Sequence, residues 1–382
     1  MIHFNRHHPT LRNRLRPLAL FAAFVGLPMV LPFKAQAERE FSSVVRMYDD
    51  SRTRVISPAI EVGSTFNEDR MKVSVHATQD ILTSASSEVK TFSSKGEIDD
   101  LRNEYSVNFE TQIPDGTLSL GVVTSDEKDY SSRVISAGGT REFFTKNTVV
   151  GFGFSSGSDV ITATANASFR ETKEHQNYSL SLSQILSKES LIQLIYDFRV
   201  ESGYNASPYR RAKLITGNSI SALNENHPRT RNRHAVGVKY NIYIPKMKTS
   251  FATSYRIYQD SWDVLSHTLE ERMTKEFSRK FEVALSLRYY MQSKAKFYQD
   301  YYNGDPGVFY SGNNTLATYN SYTVALRPAY NLTEKTNLSL KLEYFAQKFQ
   351  DATDAGNLST LSDDKKLEIS AFVVGLGLST KF

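Results

Sequence analysis

The chain ends in Lys366-Leu-Glu-Ile-Ser-Ala-Phe-Val-Val-Gly-Leu-Gly-Leu-Ser-Thr-Lys-Phe382. Large apolar residues occupy every second position of this stretch: Phe372, Val374, Leu376 and Leu378, followed in phase by Thr380 and Phe382. The alternate positions are small or polar except for one valine: Ala371, Val373, Gly375, Gly377, Ser379 and Lys381. A period of two residues is that of a β-strand whose two faces meet different surroundings. The stretch therefore predicts a strand with one face against an apolar medium.

A final strand of this kind that ends in phenylalanine resembles the sorting and insertion signal of bacterial outer-membrane β-barrels. The resemblance implies that Phe372, Leu376, Leu378 and Phe382 form an assembly signal. It also implies the bacterial outer membrane as location, with outer-membrane lipid and the barrel-assembly machinery as partners. The rest of the chain can be tested against this expectation.

The first 37 residues have the pattern of a cleaved secretory signal peptide. Four arginines between positions 6 and 16 precede an apolar run from 18 to 33, and Ala35-Gln36-Ala37 provides a cleavage site. We expect residues 38–382 to form a single outer-membrane β-barrel domain. The signal holds five of the 46 Lys and Arg residues and no acid, so the remaining 41 basic residues equal the 41 acidic ones. This balance argues against nucleic-acid binding.

Alternation with period two recurs along the whole remaining chain. Apolar residues at Ile192, Leu194 and Tyr196, for example, alternate with polar ones that include Asp197 and Arg199. In a transmembrane barrel such strands have one face in lipid and the other in a polar lumen. We predict an all-β fold, a transmembrane antiparallel β-barrel of about 16 strands. Counts from 14 to 18 remain compatible, because strands at 42–49, 130–143 and 263–276 alternate least clearly.

The connections between strands alternate in length. Short turns are predicted at 67–69, 114–116, 145–146, 187–188, 245–246, 278–279 and 333–335. Long connections are predicted at 83–100, 159–173, 202–229, 293–315 and 350–364, with tighter links near Asp50, Glu127 and Ser261. Short periplasmic turns and long extracellular loops are typical of outer-membrane barrels. An even strand count predicts that the last strand pairs with residues 41–48.

Several loop stretches combine aromatic, basic and acidic residues. They include Gly203-Tyr204-Asn205, Pro208-Tyr209-Arg210-Arg211, His227-Pro228-Arg229, Asp260-Ser261-Trp262, His267-Thr268 and Arg288-Tyr289-Tyr290. These stretches resemble a family of uncharacterised Gram-negative outer-membrane β-barrel proteins, a porin-like domain of unknown function of about 400 residues. The resemblance implies an exported barrel but no activity. Its association with a flavin transferase and a thioredoxin-like protein implies an alternative role as a scaffold for a periplasmic redox or flavin-carrying partner.

Polar residues near the external strand ends and on the polar faces are the candidates for lining the lumen or its mouth. They are Asp197, Arg199, Tyr204, Tyr209, Arg210, Lys239, Arg256, Asp260, Trp262, His267, Glu282, Arg288, Tyr290 and Arg327. Hydrogen-bonded Arg, Asp and Tyr side chains could fold the loop at 202–229 inward as a constriction. The same contacts could instead tie neighbouring loops together, and the sequence does not decide between the two.

The leading functional hypothesis is a porin-like pore or transporter for small hydrophilic solutes, with lumen charges of both signs and weak ion selectivity. The alternative from another class is a membrane-embedded hydrolase that uses His267 with Asp260 or Asp263. Adjacent strand residues face opposite sides, so Ser266 cannot act with His267, and the phase of Leu265 and Leu269 directs His267 to lipid. We therefore assign no catalytic residue. The histidine spacing and the acidic loop at 350–364 match no standard metal motif, and no cofactor is expected.

Overall fold

A computed structural model describes residues 38–50, 52–84, 98–164, 166–217, 219–353 and 366–382. The predicted signal peptide at 1–37 lies outside the described residues. Almost all regular structure is β-strand, and the described helices are two single 3₁₀ turns at Pro245–Met247 and Asn314–Leu316. No helix in this described part of the chain is long and apolar enough to cross a membrane.

Sixteen strands form one closed antiparallel barrel. They are β1 (Arg39–Asp49), β2 (Thr53–Phe66), β3 (Met71–Ser84), β4 (Ile98–Ile113), β5 (Gly116–Asp126), β6 (Tyr130–Phe143), β7 (Thr148–Ala163), β8 (Asn166–Ile185), β9 (Ser190–Gly203), β12 (Thr230–Ile244), β13 (Thr249–Asp260), β14 (Leu265–Glu276), β15 (Phe281–Gln292), β17 (Tyr319–Asn331), β18 (Thr336–Thr353) and β19 (Lys366–Lys381). Three short strands outside the barrel are β10 (Arg211–Thr216), β11 (Ser219–Asn224) and β16 (Tyr302–Asn303). The predicted strand count of sixteen is confirmed.

The barrel closes between its first and last strands. β1 pairs antiparallel with β19 from Glu40 opposite Lys381 to Asp49 opposite Phe372. Beyond that register, Arg39 and Phe382 exchange two backbone hydrogen bonds of 3.0 Å each. The predicted pairing of the last strand with residues 41–48 is therefore confirmed, and both ends of the described chain lie at the end of the barrel that carries the short turns.

The alternation seen in the sequence separates the two faces of the wall. Leu120, Ile135 and Phe372 are each at least 60% exposed and point outward, where lipid surrounds the protein. Most of the residues that alternate with them, such as Ser119, Ser136 and Gly375, are small or polar and lie with their cross-strand partners on the inner face. In this closed sheet each strand pairs with a neighbour on both sides while the outer face remains apolar.

The structure corrects the predicted loop at 159–173. β7 and β8 continue as a paired hairpin as far as Ala163 and Asn166, so the connection is only a short turn. Lys173 Nζ lies 3.3 Å from the buried carboxylate of Asp159, and these two residues are opposite each other in the register. Sequence inspection missed this pairing because polar residues on both faces hide the alternation. The weakest predicted strands at 42–49, 130–143 and 263–276 exist as β1, β6 and β14.

Two long external loops join in a small three-stranded sheet. β10 and β11 form a hairpin within the loop between β9 and β12, and β10 pairs in parallel with β16 of the loop between β15 and β17. Leu214 lies opposite Tyr302 in that parallel pairing. The loop sheet therefore ties together two connections that leave the barrel four strands apart, one of the two roles expected for residues 202–229.

Beneath these loops lies a hydrophobic group that we call the mouth cluster. It contains Trp262, Val264, Ala295, Phe297, Tyr298, Leu316, Ala317, Phe349, Ala352 and Leu367, with Tyr258, Tyr319 and Ile369 packed against it. Tyr258, Tyr319 and Phe349 are on the inner face of the wall, as their cross-strand partners show. The mouth cluster therefore covers the inner wall from β13 to β19 at the external end.

Candidate functional site: the lumen and its external mouth

The concave side of the barrel contains a cavity of about 870 Å³. Its lining runs across consecutive strands from Glu110 on β4 to Arg256 and Tyr258 on β13. A single cavity lined by so many neighbouring strands identifies the inner face of the wall. On β5 to β8 this face carries only small or uncharged polar residues at mid-strand, such as Ser136, Gly153 and Ser179. The space exists because these side chains are too short to fill it.

Nine of the residues predicted for the lumen or its mouth lie on the inner face of barrel strands. They are Asp197, Arg199, Lys239, Arg256, Asp260, Glu282, Arg288, Tyr290 and Arg327. Asp197, Arg199 and Arg256 line the cavity directly. The structure therefore brings three of them together, whereas Glu282 and Arg327 lie on β15 and β17, outside the cavity lining.

Tyr204, Tyr209, Arg210 and Trp262 belong to the external loops. The Tyr209 hydroxyl donates to Asp129 in the loop between β5 and β6, and burial raises the pKa of Tyr209 with the nearby Asp129 charge adding to the effect. The Tyr204 ring makes an edge contact with Phe169 at 5.4 Å between centroids. Trp262 donates from Nε1 to the Thr230 carbonyl at 3.0 Å. Tyr204, Tyr209 and Trp262 therefore connect loops to one another and to strand ends.

A buried ion pair lies where the mouth cluster meets the lumen. Asp260 Oδ2 accepts from Arg231 Nε at 2.8 Å and from the Tyr258 hydroxyl at 2.7 Å. Asp260 Oδ1 accepts from the backbone N–H groups of Trp262 and Val264 at 2.9 and 3.0 Å. The Arg231 guanidinium also lies 4.0 Å from the Trp262 ring centroid. Asp260 therefore fixes the turn after β13 and holds one arginine in place.

His267 requires a correction, since it was among the candidates for the lumen or its mouth. It lies opposite Ile257 and Met291 on the outward face, as the phase of Leu265 and Leu269 predicted. Its Nδ1 is 2.6 Å from the Tyr255 hydroxyl. Asp260 faces inward and is held by Arg231. His267 and Asp260 therefore do not form an acid–base pair. Asp263 is in the external turn, 3.7 Å from Lys296 Nζ.

A second buried pair ties the two long loops. Glu225 Oε1 accepts from the Ser311 hydroxyl at 2.8 Å and from the Gly312 N–H at 2.9 Å. Glu225 Oε2 lies 3.6 Å from His227 Nε2, and both side chains are almost fully buried. Burial would raise the pKa of Glu225, but the nearby His227 and the hydrogen bond from the Ser311 hydroxyl outweigh burial. The pKa of Glu225 is therefore lowered.

Three carboxylates lie close together at the external rim of the barrel. Asp100, Glu127 and Asp129 place one ligand atom each within 4.8 Å of one another. Burial, followed by the charge of Asp100, raises the pKa of Glu127, while Arg102 acts in the opposite direction. Oxygen ligands of this kind suit a hard cation such as calcium. All three residues are only half-buried and Asp129 already accepts from Tyr209, so we assign no metal centre.

The sequence alone did not single out Glu201, Tyr258 or Glu225. Glu201 follows Asp197 and Arg199 in the same phase of β9, a signal that could have identified it. Tyr258 and Asp260 are likewise two residues apart on the inner face. Glu225 has no such signal, because its partners come from a loop some 86 residues later.

The barrel is similar to solved outer-membrane proteins. A bacterial polysaccharide outer membrane secretin matches with a TM-score of 0.50 at 10% identity, covering 92% of this chain and 99% of that one. OmpT of Vibrio cholerae matches at 0.46 and 9% identity, covering 92% and 99% of the two chains. OccK8 (OprE) of Pseudomonas aeruginosa matches at 0.43 and 10% identity, covering 91% and 98%. At these identities the likeness concerns the fold, and the chain is a bacterial outer-membrane barrel.

Comparison with curated proteins finds no match for the sequence. A family model described as "Protein of unknown function (DUF3570)" matches residues 90–173 and 165–363. The two matched ranges contain most of the barrel, both long external loops and the cavity-lining arginines. On this evidence, the chain belongs to the DUF3570 family of outer-membrane β-barrel proteins.

Proposed function

We propose that this protein is a passive pore for small hydrophilic solutes. The observation that carries the proposal is the cavity on the inner face, whose wall from β5 to β8 presents glycine and serine where bulkier residues would fill the space. A polar wall of small side chains lets hydrated solutes pass without binding them tightly. Transport through such a pore requires no catalytic residue and no cofactor.

Large side chains are distributed unevenly around the inner wall, which supports a solute passage displaced from the barrel axis. The mouth cluster lies against the wall from β13 to β19, whereas the cavity is lined by β4 to β13. The two regions overlap only near Tyr258. The solute path therefore runs along the side of the barrel that the large side chains leave free.

Two variants on β7 test the pore. A Cβ added at Gly153 meets only Ser179 Cβ, at 3.7 Å, so Gly153→Trp places an indole in the lumen without a backbone clash. Val150 is on the outward face of the same strand, which makes Val150→Trp the matched control. In planar bilayers we expect Gly153→Trp to reduce single-channel conductance about twofold or more, since conductance depends on the open cross-section of the pore. The control should conduct like the parent protein.

Liposome swelling with neutral sugars provides an independent measurement of the same property. Sugars up to disaccharide size should enter vesicles that contain the protein and enter more slowly with Gly153→Trp. Folded protein that shows neither conductance at any applied voltage nor solute entry would contradict the pore. Heat-modifiable mobility in gels establishes that each variant is folded before it is tested.

A further inference from the structure

Three arginines meet on one side of the cavity. Arg199 on β9 and Arg233 on β12 are directly opposite each other in the register, and Arg256 on β13 lies opposite Gly237 of β12. All three line the cavity. Guanidinium groups bind carboxylates with paired, directional hydrogen bonds, so their clustering in a polar cavity is typical of an anion site.

The carboxylates near these arginines do not neutralise them fully. Glu201 is buried and is shared, since Oε1 accepts from Arg199 Nε at 2.7 Å and Oε2 forms an ion pair with Arg233 Nη2, also at 2.7 Å. Arg256 Nη2 lies 3.6 Å from Asp197 Oδ2. Three guanidinium groups thus face two carboxylates, because Asp260, which lies opposite Arg233 in the register, is already paired with Arg231. Arg233 Nε is in addition buried without a hydrogen-bond partner. The Arg233 side chain as a whole is 31% exposed, so an anion in the cavity can contact the accessible part of this arginine.

The other acid that lines the cavity does not change this balance. Glu110 is on β4, at the end of the lining farthest from β9, β12 and β13, which carry the three arginines. The net excess at the three arginines is therefore one positive charge. A single excess charge favours a monoanion over a dianion, because the second negative charge would face Glu201 and Asp197 without compensation.

The wall beside the arginines offers hydroxyl and amide groups. Ser155 accepts from Asn177 Nδ2 at 2.8 Å, and Ser179 donates to Asp197 at 2.9 Å. Ser136 lies opposite Ser155 in the register of β6 and β7, and all of these residues line the cavity. Side chains that both donate and accept are suited to the hydroxyl groups of a polyol.

We propose that the cavity is a binding site for small hydroxylated monocarboxylates, the class of the sugar acids. The carboxylate accepts from Arg233, between Arg199 and Arg256, and the hydroxyl groups of the solute contact the serines of β6 to β8. This inference rests on the proposed pore, of which it names the solute class. The site holds the solute weakly enough for release, since each arginine already has a carboxylate partner.

Calorimetric titration of the purified, detergent-solubilised protein tests the site. The probes are gluconate, a hydroxylated monocarboxylate, and sorbitol, its uncharged counterpart. Gluconate should bind at least about tenfold more tightly than sorbitol, because hydrogen bonds between a guanidinium and a carboxylate are stronger than those to a neutral hydroxyl. Equal binding of the two probes, or no binding of gluconate, would overturn the proposal.

Two substitutions with opposite expected effects separate binding from general structural damage. Arg233→Gln should weaken gluconate binding about tenfold, because it removes the excess charge. Glu201→Gln should tighten it, because it removes the carboxylate that competes for Arg199 and Arg233. Arg327→Gln, on the inner face of β17 and outside the cavity lining, is the matched control and should bind like the parent protein. Weaker binding in both Arg233→Gln and Glu201→Gln would overturn the proposal.

Bilayer recordings distinguish failure of this inference from failure of the pore. Gluconate should block single-channel current in the parent protein, and the block should weaken in Arg233→Gln. Conductance without a preference for gluconate over sorbitol would overturn the sugar-acid site and leave the pore intact. Calorimetric binding of gluconate by a protein that conducts nothing would support the site and contradict the pore.

Discussion

Asp260 and Asp197 both face the lumen and both pair with arginine, but their surroundings differ. The Asp260 side chain is fully buried with Arg231, whereas Asp197 is 44% exposed and lies 3.6 Å from Arg256. Removing one partner of a buried pair leaves an uncompensated charge, which costs about 3–5 kcal/mol, while an exposed pair contributes about 0–1 kcal/mol. Burial therefore decides which of the two carboxylates holds the structure.

We expect Asp260→Ala to lower the free energy of unfolding by about 3–5 kcal/mol, and Asp197→Ala by no more than about 1 kcal/mol. The measurement is reversible urea unfolding in lipid vesicles, followed by the fluorescence of Trp262, the single tryptophan of the sequence. Equal losses in the two variants would show that the buried network around Asp260 contributes no more than an exposed pair.

The buried Glu225 makes the contact between the two long loops dependent on pH. Its pKa is lowered in the folded protein, so the ionised form stabilises the loop contact above the pKa of an unfolded glutamate, about 4.3. This contribution is lost as the pH falls below that value and through the lower pKa of the folded state. His227, Ser311 and the more distant Arg210 are the groups that keep the carboxylate ionised.

Hydrogen exchange in residues 205–229 and 295–312 measures the effect. After correction for intrinsic rates, protection should be high at pH 6 and should fall at pH 3. Glu225→Gln should lower the protection at pH 6 and remove most of its pH dependence. Glu68→Gln, in an exposed turn at the opposite end of the barrel, should leave the profile unchanged. A parent protein whose loops are equally protected at both pH values would contradict this account.

At the scale of elements, β19 combines a lipid-facing side with the closure of the barrel. Leu376 is 54% exposed on the outward face, whereas Val373 faces inward between Tyr48 and Glu343. A basic residue on the lipid side near the membrane centre costs about 2–4 kcal/mol, while the same residue in the lumen remains hydrated. The two faces of this strand should therefore tolerate charge very differently.

We expect Leu376→Arg to block assembly and Val373→Arg, beside Glu343, to assemble normally. Deletion of Phe382 should also reduce assembly, because it removes two backbone hydrogen bonds with Arg39 together with the terminal aromatic ring. Heat-modifiable gel mobility of outer-membrane fractions reports the folded barrel. Wild-type amounts of folded Leu376→Arg protein would show that this face of β19 does not lie in lipid.

The loop elements show the limit of prediction from sequence. Alternation identified the barrel strands because every one of them has the same two surroundings, lipid and lumen. β10 and β16 pair although Leu214 and Tyr302 are 88 positions apart, and only two residue pairs join them. No periodic pattern specifies so short a contact. The same limit applies to the lumen. Arg199 and Asp260 were predicted to line the lumen or its mouth, but the sequence did not predict that Glu201 pairs with both Arg199 and Arg233.

At the scale of the whole molecule, the barrel is uneven around its circumference. Large side chains collect against β13 to β19, small ones line β5 to β8, and the arginines lie between these two regions. In the proposed pore, a solute that follows the free side passes the arginines. The positions of the arginines and of the large side chains thus both affect the proposed solute path.

The two hydrogen bonds between Arg39 and Phe382 place the ends of the first and last strands next to each other, so the order of strands along the chain can be changed without changing their neighbours. Since the first and last strands already lie side by side, a linker of a few residues could join them, and the barrel could be reopened at any of its other short turns. Such a circular permutant would keep every strand neighbour while moving the terminal phenylalanine into the interior of the sequence. The permutant therefore tests whether the barrel architecture can form without the predicted assembly signal at the C-terminal end of the chain.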